Sequence, residues 1–296
     1  MTVDLFPGFA SRMIDVDGAR LFARIGGSGA PIALLHGFPQ THAEWRHIAP
    51  RIAERCVVVA FDLRGYGASD VPPSVRGEGY AKRAMANDVA TAMRALGFER
   101  FALVGHDRGG RVGYRLALDR PECVTRLALL DIVPTLEMWR GMGPAQALSA
   151  YHWAFLAQPE PLPETLVGRA SREYIDHTLA SWTKAKTLDP FAGPALDRYR
   201  AFFAETARIH ACCEDYRAGA TIDRADDEAD VAVGRKIEAP LLALWGSAGF
   251  PAQGESPLDV WRRWATSVEG RAIDAGHFLP EEAPEETAAA LLAFLA

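Results

Sequence analysis

Short runs of apolar and β-branched residues recur along the chain, at residues 31–35, 56–61, 101–104, 124–130 and 240–245. Runs without polar alternation are typical of strands that are buried on both faces of a parallel sheet. A polar or glycine-containing turn follows each run: HGFPQ, DLRGYG, GHDRGG, DIVP and WGSAG. Strands that alternate with turns and helices predict an α/β fold, whose ligands bind beyond the carboxyl ends of the strands.

The pattern changes between residues 134 and 237, where helical segments rich in Ala, Trp, Tyr and Arg replace the apolar runs. We interpret this region as a helical cap that is inserted between two sheet strands and covers the ligand site. The predicted domains are therefore a core of residues 1–136 and 238–296, with a mostly parallel central sheet flanked by helices, and a cap of residues 137–237.

The composition is that of an ordinary globular protein, with 49% apolar and 24% charged residues in a chain of 296. No apolar stretch approaches the roughly 18 residues of a membrane span, and the first residues lack the basic start and apolar run of a secretion signal. We therefore expect a cytoplasmic protein without a membrane partner. The net charge of −6 argues against nucleic acid as a partner, and it requires any attraction for an anionic substrate to be local.

Four cysteines (Cys56, Cys123, Cys212 and Cys213) are too irregularly spaced for a disulfide framework or a metal site. Buried free thiols are the expected state.

The segment GHDRGG places Asp107 at the centre of the spacing G-x-S-x-G, after an apolar strand and before an amphipathic helix. This is the nucleophile elbow of the α/β-hydrolase fold, with aspartate in place of serine. Glycines two residues before and after the centre relieve crowding in a strained turn. Standing alone, the same spacing would also fit an acidic cap on an ordinary helix.

Two further residues complete a candidate triad. His277, in the turn DAGHF about 20 residues from the end of the sequence, follows the position of the last predicted strand. The loop after LLALWG has no Asp or Glu before Glu255, so the triad acid must come from elsewhere. Asp131 ends the preceding strand and could reach His277 there.

An aspartate nucleophile changes the chemistry that the elbow can perform. A carboxylate needs no deprotonation at neutral pH and can displace a leaving group from an sp³ carbon, which limits the substrate to alkyl halides or epoxides. His277, held by Asp131, would then activate water to hydrolyse the ester on Asp107. The backbone N–H groups of Phe38 and Arg108 are the predicted oxyanion donors. No metal or cofactor is expected.

Arg108 and Arg111 share one face at the start of the helix that follows Asp107. Two guanidinium groups beside a catalytic carboxylate would weaken it as a nucleophile unless an anion occupies them, which indicates a substrate with its own carboxylate. Alternatively, one of the two forms a salt bridge with a surface acid.

Three residues of the cap carry N–H or O–H donors that could bind a departing halide ion: His152, Trp153 and Tyr216. Fluoride is strongly hydrated, so several donors must replace its water. Taken singly, each residue is more typical of an aromatic core.

Seven segments together resemble the bacterial fluoroacetate and haloacetate dehalogenases: HGFPQTH, DLRGYGASD, GHDRGGR, LLDIVPT, HWAFLAQPEP, CCEDYRAGATID and GHF. The resemblance implies an enzyme that converts a haloacetate to glycolate and halide, and a homodimer. It implies Asp107, Asp131 and His277 as the triad, and Arg108 with Arg111 as the carboxylate clamp. It further implies a halide pocket of His152, Trp153 and Tyr216, narrowed by Trp182.

Two alternatives stay open at this point. An epoxide hydrolase shares the attack by aspartate but needs cap tyrosines as proton donors, for which Tyr151, Tyr174, Tyr199 and Tyr216 are available. The arginine pair counts against it, because a neutral epoxide gains nothing from a carboxylate clamp. The second alternative is a binding protein of the same fold without catalysis.

Overall fold

A computed structural model describes residues 3–296. Eight strands form one sheet in the order β1-β2-β4-β3-β5-β6-β7-β8. Their bounds are β1 Ala10–Val16, β2 Ala19–Gly27, β3 Ala30–Leu35, β4 Cys56–Phe61, β5 Phe101–His106, β6 Val124–Leu130, β7 Leu241–Gly246 and β8 Val268–Ile273.

The five predicted strands correspond to β3 through β7 and pair with one another in parallel, as the α/β interpretation requires. β8 extends the parallel region, and β1 and β2 form an antiparallel hairpin at the opposite edge. The hairpin has no continuous apolar run that would predict it, because most of its residues are exposed or half-buried.

Fourteen α-helices within residues 3–296 cover the sheet and its carboxyl edge. In the core they are α1 Ala49–Ile52, α2 Lys82–Ala95, α3 Asp107–Asp119, α12 Pro257–Trp264, α13 Leu279–Glu282 and α14 Pro284–Leu295. Between β6 and β7 lie α4 Thr135–Arg140, α5 Pro144–Ser149, α6 Tyr151–Leu156, α7 Leu162–Arg169, α8 Ser171–Trp182, α9 Pro194–Phe203, α10 Thr206–Ala220 and α11 Ile222–Ala232.

The strands bury side chains on both faces of the sheet. Leu103 belongs to one apolar cluster and its neighbour Val104 to the other, because successive side chains of a strand point to opposite faces. Full burial of each such side chain contributes roughly 1.5–3 kcal/mol. The first cluster continues into the helices between β6 and β7 through Tyr199 and Tyr216, so these helices share the core of the sheet domain.

No helix among residues 3–296 is long and apolar enough to cross a membrane. All four cysteines are free thiols, as predicted; Cys212 and Cys213 are buried, but Cys56 and Cys123 are only half-buried, contrary to the expectation. The same range contains no group of His, Cys, Asp or Glu arranged to hold a metal ion.

Candidate active site

Asp107 is the first residue of α3 and directly follows β5, in a turn with a backbone φ of 44°. This left-handed conformation is strained for a residue with a side chain. The turn also needs glycine at position 109, because a Cβ there would lie 2.4 Å from the carbonyl oxygen of Leu35. Strand, turn and helix thus have the form of a nucleophile elbow, with Asp107 at its apex.

The carboxylate of Asp107 lies in a cationic environment. Its Oδ1 accepts a hydrogen bond of 2.9 Å from the backbone N–H of Phe38, a predicted oxyanion donor. Burial acts to raise the pKa of Asp107, but His277 and Arg108 offset this and hold the pKa below its ordinary value. The carboxylate is therefore ionised at neutral pH and needs no base to become nucleophilic.

Asp131 and His277 meet beside the elbow. His277 Nδ1 lies 2.7 Å from Oδ2 of Asp131, whose Oδ1 accepts a hydrogen bond of 2.9 Å from Gly246 N–H. Asp131 follows β6 directly, and a Cβ on Gly249, in the loop after β7, would lie only 2.4 Å from its Oδ1. The loop after β7, which contains no Asp or Glu before Glu255, therefore packs against Asp131 at the end of the neighbouring strand β6.

Two residues missed in the sequence analysis lie beneath the elbow. The buried ring of His106 has its Nδ1 3.2 Å from Oε2 of Glu44 and its Nε2 2.9 Å from the carbonyl oxygen of His277. A carboxylate and a carbonyl both accept, so His106 donates from both nitrogens as an imidazolium. Burial lowers the pKa of His106, but Glu44 outweighs this and raises the pKa to about 9. The only available signal was the GHD segment itself.

Arg108 is fully buried and paired with an acid. Its Nε lies 3.1 Å from Oδ1 of Asp215, and its Nη2 donates to the Asp215 backbone oxygen at 2.7 Å and also to Oδ1. Its Nη1 has no hydrogen-bond partner among residues 3–296. The partner is thus a buried acid of α10, and not the surface acid considered from the sequence.

Arg111 has a different environment one turn along α3. Its Nη1 donates to the carbonyl oxygen of Val133 at 3.0 Å and to Oγ1 of Thr135 at 3.1 Å, both neutral groups. Its Nε has no hydrogen-bond partner in the part of the chain that the structure describes. Burial lowers the pKa of Arg111, whereas that of Arg108 is held well above its ordinary value by Asp215 despite burial.

The structure brings the predicted halide residues together over the elbow. The Tyr216 ring lies 5.5 Å from that of His152 and 6.0 Å from that of Trp153, and it packs edge-on against Phe38 at 5.2 Å. Within residues 3–296, His152 Nδ1 and Tyr216 Oη are buried without a hydrogen-bond partner. The Trp182 ring packs against this group at a tilt, with its centroid 4.3 Å from that of the His152 ring.

His152 is a neutral donor. Burial lowers its pKa to about 3, and the nearby cations add to this effect, so the ring carries no charge at neutral pH. A neutral imidazole has one N–H to offer.

A cavity of about 240 Å³ lies between α3 and the helices above it. Its lining includes Asp107, Arg111, Asp131, His277, His152, Trp153 and Trp182. It also includes residues that the sequence analysis did not single out, among them Met138, Leu148, His177, Lys186, Phe250 and Gln253. Arg108 and Tyr216 are fully buried behind this lining.

Only one of the four tyrosines considered for epoxide chemistry lines the cavity described by residues 3–296. Tyr151 lines the cavity and Tyr216 lies behind it. Tyr199 donates its O–H to Glu281 at 3.2 Å, and Tyr174 stacks on Phe203 with ring centroids 5.8 Å apart. Two of the four tyrosines are therefore engaged elsewhere.

Comparisons with known proteins identify the family to which this fold belongs. The profile of the alpha/beta hydrolase fold family matches residues 30–284. The chain is 41% identical to a fluoroacetate dehalogenase of a Burkholderia species, over 98% of this chain and 95% of that protein. It is 32% identical to a soluble epoxide hydrolase of Corynebacterium sp. strain C12, over 95% of each chain. A solved structure from Nostoc sp PCC 7120 aligns with a TM-score of 0.94 at 48% identity, covering 97% of this chain and 98% of that one.

Proposed function

This chain belongs to the alpha/beta hydrolase fold family and is a hydrolase, and we propose that it removes the halogen from fluoroacetate or another haloacetate. The reaction converts the haloacetate and water to glycolate, halide and a proton. One relative with 41% identity is a fluoroacetate dehalogenase, which supports this substrate class.

The observation that carries the proposal is that Asp107 and Arg111 line one cavity. An ionised carboxylate there attacks an alkyl carbon, and a buried guanidinium without an acid partner binds a substrate anion. A haloacetate satisfies both groups, because its carboxylate is bonded directly to the carbon that bears the halogen.

In the first step, an oxygen of Asp107 attacks the halogen-bearing carbon and forms a C–O bond as the carbon–halogen bond breaks. The electron pair of that bond leaves with the halide. His152, Trp153 and Tyr216 provide N–H and O–H donors for the departing ion, replacing part of its water shell. The product of this step is an ester between Asp107 and the acetate carbon.

In the second step, His277 takes a proton from water, and the resulting hydroxide attacks the carbonyl carbon of the Asp107 side chain. Asp131 holds the His277 ring through Nδ1 and stabilises its charged form. The N–H of Phe38 already contacts Asp107 Oδ1 and is placed to stabilise the oxyanion, with the N–H of Arg108 as the second donor. Collapse of the intermediate breaks the C–O bond to the acetate group, and the departing glycolate oxygen takes the proton from His277. The new carboxyl group of Asp107 then releases a proton and is again a carboxylate.

Epoxide hydrolysis is the second candidate. It is favoured by Tyr151 in the cavity lining and by the 32% identity to a soluble epoxide hydrolase. An epoxide would leave the Arg111 guanidinium without an anionic partner, whereas a haloacetate provides one. The dehalogenase proposal therefore accounts for more of the site.

The test is an assay of halide release from fluoroacetate and chloroacetate, with glycolate measured in parallel and an epoxide panel assayed for diol formation. Halide and glycolate in equal amounts, both abolished in Asp107→Asn, support the proposal. Diol formation without halide release would favour the epoxide hydrolase. If neither the haloacetates nor the epoxides are turned over, the alternative of a binding protein without catalysis is favoured.

A further inference from the structure

Arg108 and Arg111 lie on the same helical face but differ in their charge surroundings. Arg108 contacts the carboxylate of Asp215, and that carboxylate also contacts Nζ of Lys82. Nζ of Lys82 also lies 3.7 Å from Oδ2 of a second acid, Asp223. Tyr66 donates its O–H to Oδ2 of Asp215 at 2.8 Å. All of these groups are buried. Two cations and two anions alternate, so the cluster carries no net charge.

Arg111 has no such compensation. Its hydrogen-bond acceptors are a backbone carbonyl and a threonine hydroxyl, and it forms no salt bridge with a carboxylate among residues 3–296. The face of its guanidinium packs on the Trp153 ring, 4.5 Å from the centroid. A buried cation without a counterion favours an anionic ligand, because the charge of the ligand stabilises the cation in place of the water that burial has removed.

We propose that the two arginines divide the recognition of the substrate carboxylate, an inference that rests on the haloacetate function. Arg111 supplies the charge that selects an anion over a neutral molecule. Asp215 and Lys82 are positioning residues that hold Arg108 as a charge-balanced donor, with Nη1 as its unpartnered nitrogen.

Asp215 has a second consequence for the nucleophile. Arg108 follows Asp107 directly in the chain, and the two side chains attract each other. Without Asp215, the Asp107 carboxylate would become the strongest available partner of the Arg108 guanidinium. An aspartate that is paired with a guanidinium is a weaker nucleophile. By pairing with Arg108, Asp215 keeps that guanidinium from pairing with Asp107.

The first experiment measures binding in the Asp107→Asn background, where no turnover consumes the ligand. Calorimetry gives the dissociation constants of fluoroacetate and of the neutral fluoroacetamide. Arg111→Gln is compared with the double variant Arg108→Gln, Asp215→Asn, which removes one cation and one anion together. We expect Arg111→Gln to reduce the preference for the anion roughly 10- to 100-fold. The double variant should weaken both ligands by similar factors and change the preference by less than about threefold.

The second experiment measures fluoride release with Asp107 restored. Asp215→Asn alone should have a lower kcat than the double variant, because Arg108→Gln removes the cation that would otherwise bind Asp107. Such a rescue is not expected of a residue that only supports the fold, and circular dichroism of each variant checks folding.

The inference is overturned if Arg111→Gln keeps the preference for fluoroacetate over fluoroacetamide, or if the double variant loses as much of this preference as Arg111→Gln does. It is also overturned if adding Arg108→Gln does not raise the kcat of Asp215→Asn. Absence of fluoride release from the unaltered enzyme would instead refute the proposed function, and the binding experiment would still decide the role of Arg111. Failure of the Asp107→Asn protein to prefer fluoroacetate over fluoroacetamide would overturn the inference by itself.

Discussion

Nε2 of His277 lies 3.8 Å from Oδ2 of Asp107, beyond hydrogen-bond distance. Among residues 3–296 this nitrogen has no hydrogen-bond partner, although it is buried. The base therefore does not hold the nucleophile, as a histidine holds the serine of a serine hydrolase. In the proposed mechanism, His277 acts instead on a water molecule after Asp107 has formed its ester.

Replacing His277 with Asn should separate the two steps. Asp107 attacks without help from a base, so the variant should release about one halide per active site and then stop, with steady turnover reduced at least about 100-fold. Mass spectrometry of the protein after exposure to chloroacetate should find one carboxymethyl group on the peptide that contains Asp107.

Asp107→Asn is the control for that adduct, since an amide is a poor nucleophile and the peptide should stay unmodified. An unmodified Asp107 in His277→Asn, together with no initial release of halide, would argue against the ester intermediate.

Replacing Tyr216 with Phe should affect the two halides unequally. The buried O–H has no hydrogen-bond partner within residues 3–296, so its loss should change the free energy of unfolding little. Fluoride needs replacement donors more than chloride does, so kcat for fluoroacetate should fall roughly tenfold and kcat for chloroacetate by a smaller factor.

The measurement for Tyr216→Phe is the ratio of the two kcat values in paired assays. Tyr174→Phe is a matched control, because its hydroxyl is likewise buried without a hydrogen-bond partner among residues 3–296, but its ring stacks on Phe203, whereas that of Tyr216 packs near His152 and Trp153. If the ratio of the two kcat values stays unchanged, Tyr216 does not belong to the halide pocket.

The buried ion pair of His106 and Glu44 should make stability depend on pH. The folded pKa of His106, about 9, lies above its ordinary value of 6.5. Its stabilisation is therefore fully present below pH 6.5 and is lost as the pH rises through 9. A pKa shift of this size corresponds to roughly 3 kcal/mol in the free energy of unfolding.

Urea unfolding of the unaltered protein and of His106→Gln between pH 6 and 10 measures this effect. The difference in unfolding free energy between the two proteins should shrink across that interval. A difference that stays constant with pH would show that the folded protein holds no extra proton on this pair, so that the ring is neutral and no ion pair forms.

The central strands and the elbow follow from local sequence, because buried parallel strands and glycine-flanked turns leave patterns within a few residues. Asp131 could be found by elimination, since the loop after LLALWG contains no acid. The partners of the site could not be found in this way. Glu44 lies 62 positions from His106 and Asp215 lies 107 positions from Arg108, and such pairs leave no periodic signal along the chain.

In the proposed mechanism, the position of Asp131 at the end of β6 leaves the loop after β7 without a part in proton transfer. That loop contributes Phe250, Pro251 and Gln253 to the cavity wall, and its Gly249 is restricted by contact with Asp131. Phe250, Pro251 and Gln253 thus lie in a different segment of the chain from Asp107, Asp131 and His277, whereas Arg111 shares α3 with Asp107. For protein engineering, residues 250–253 form a short segment that can be randomised to fit bulkier haloacids, while the groups that make and break bonds keep their positions.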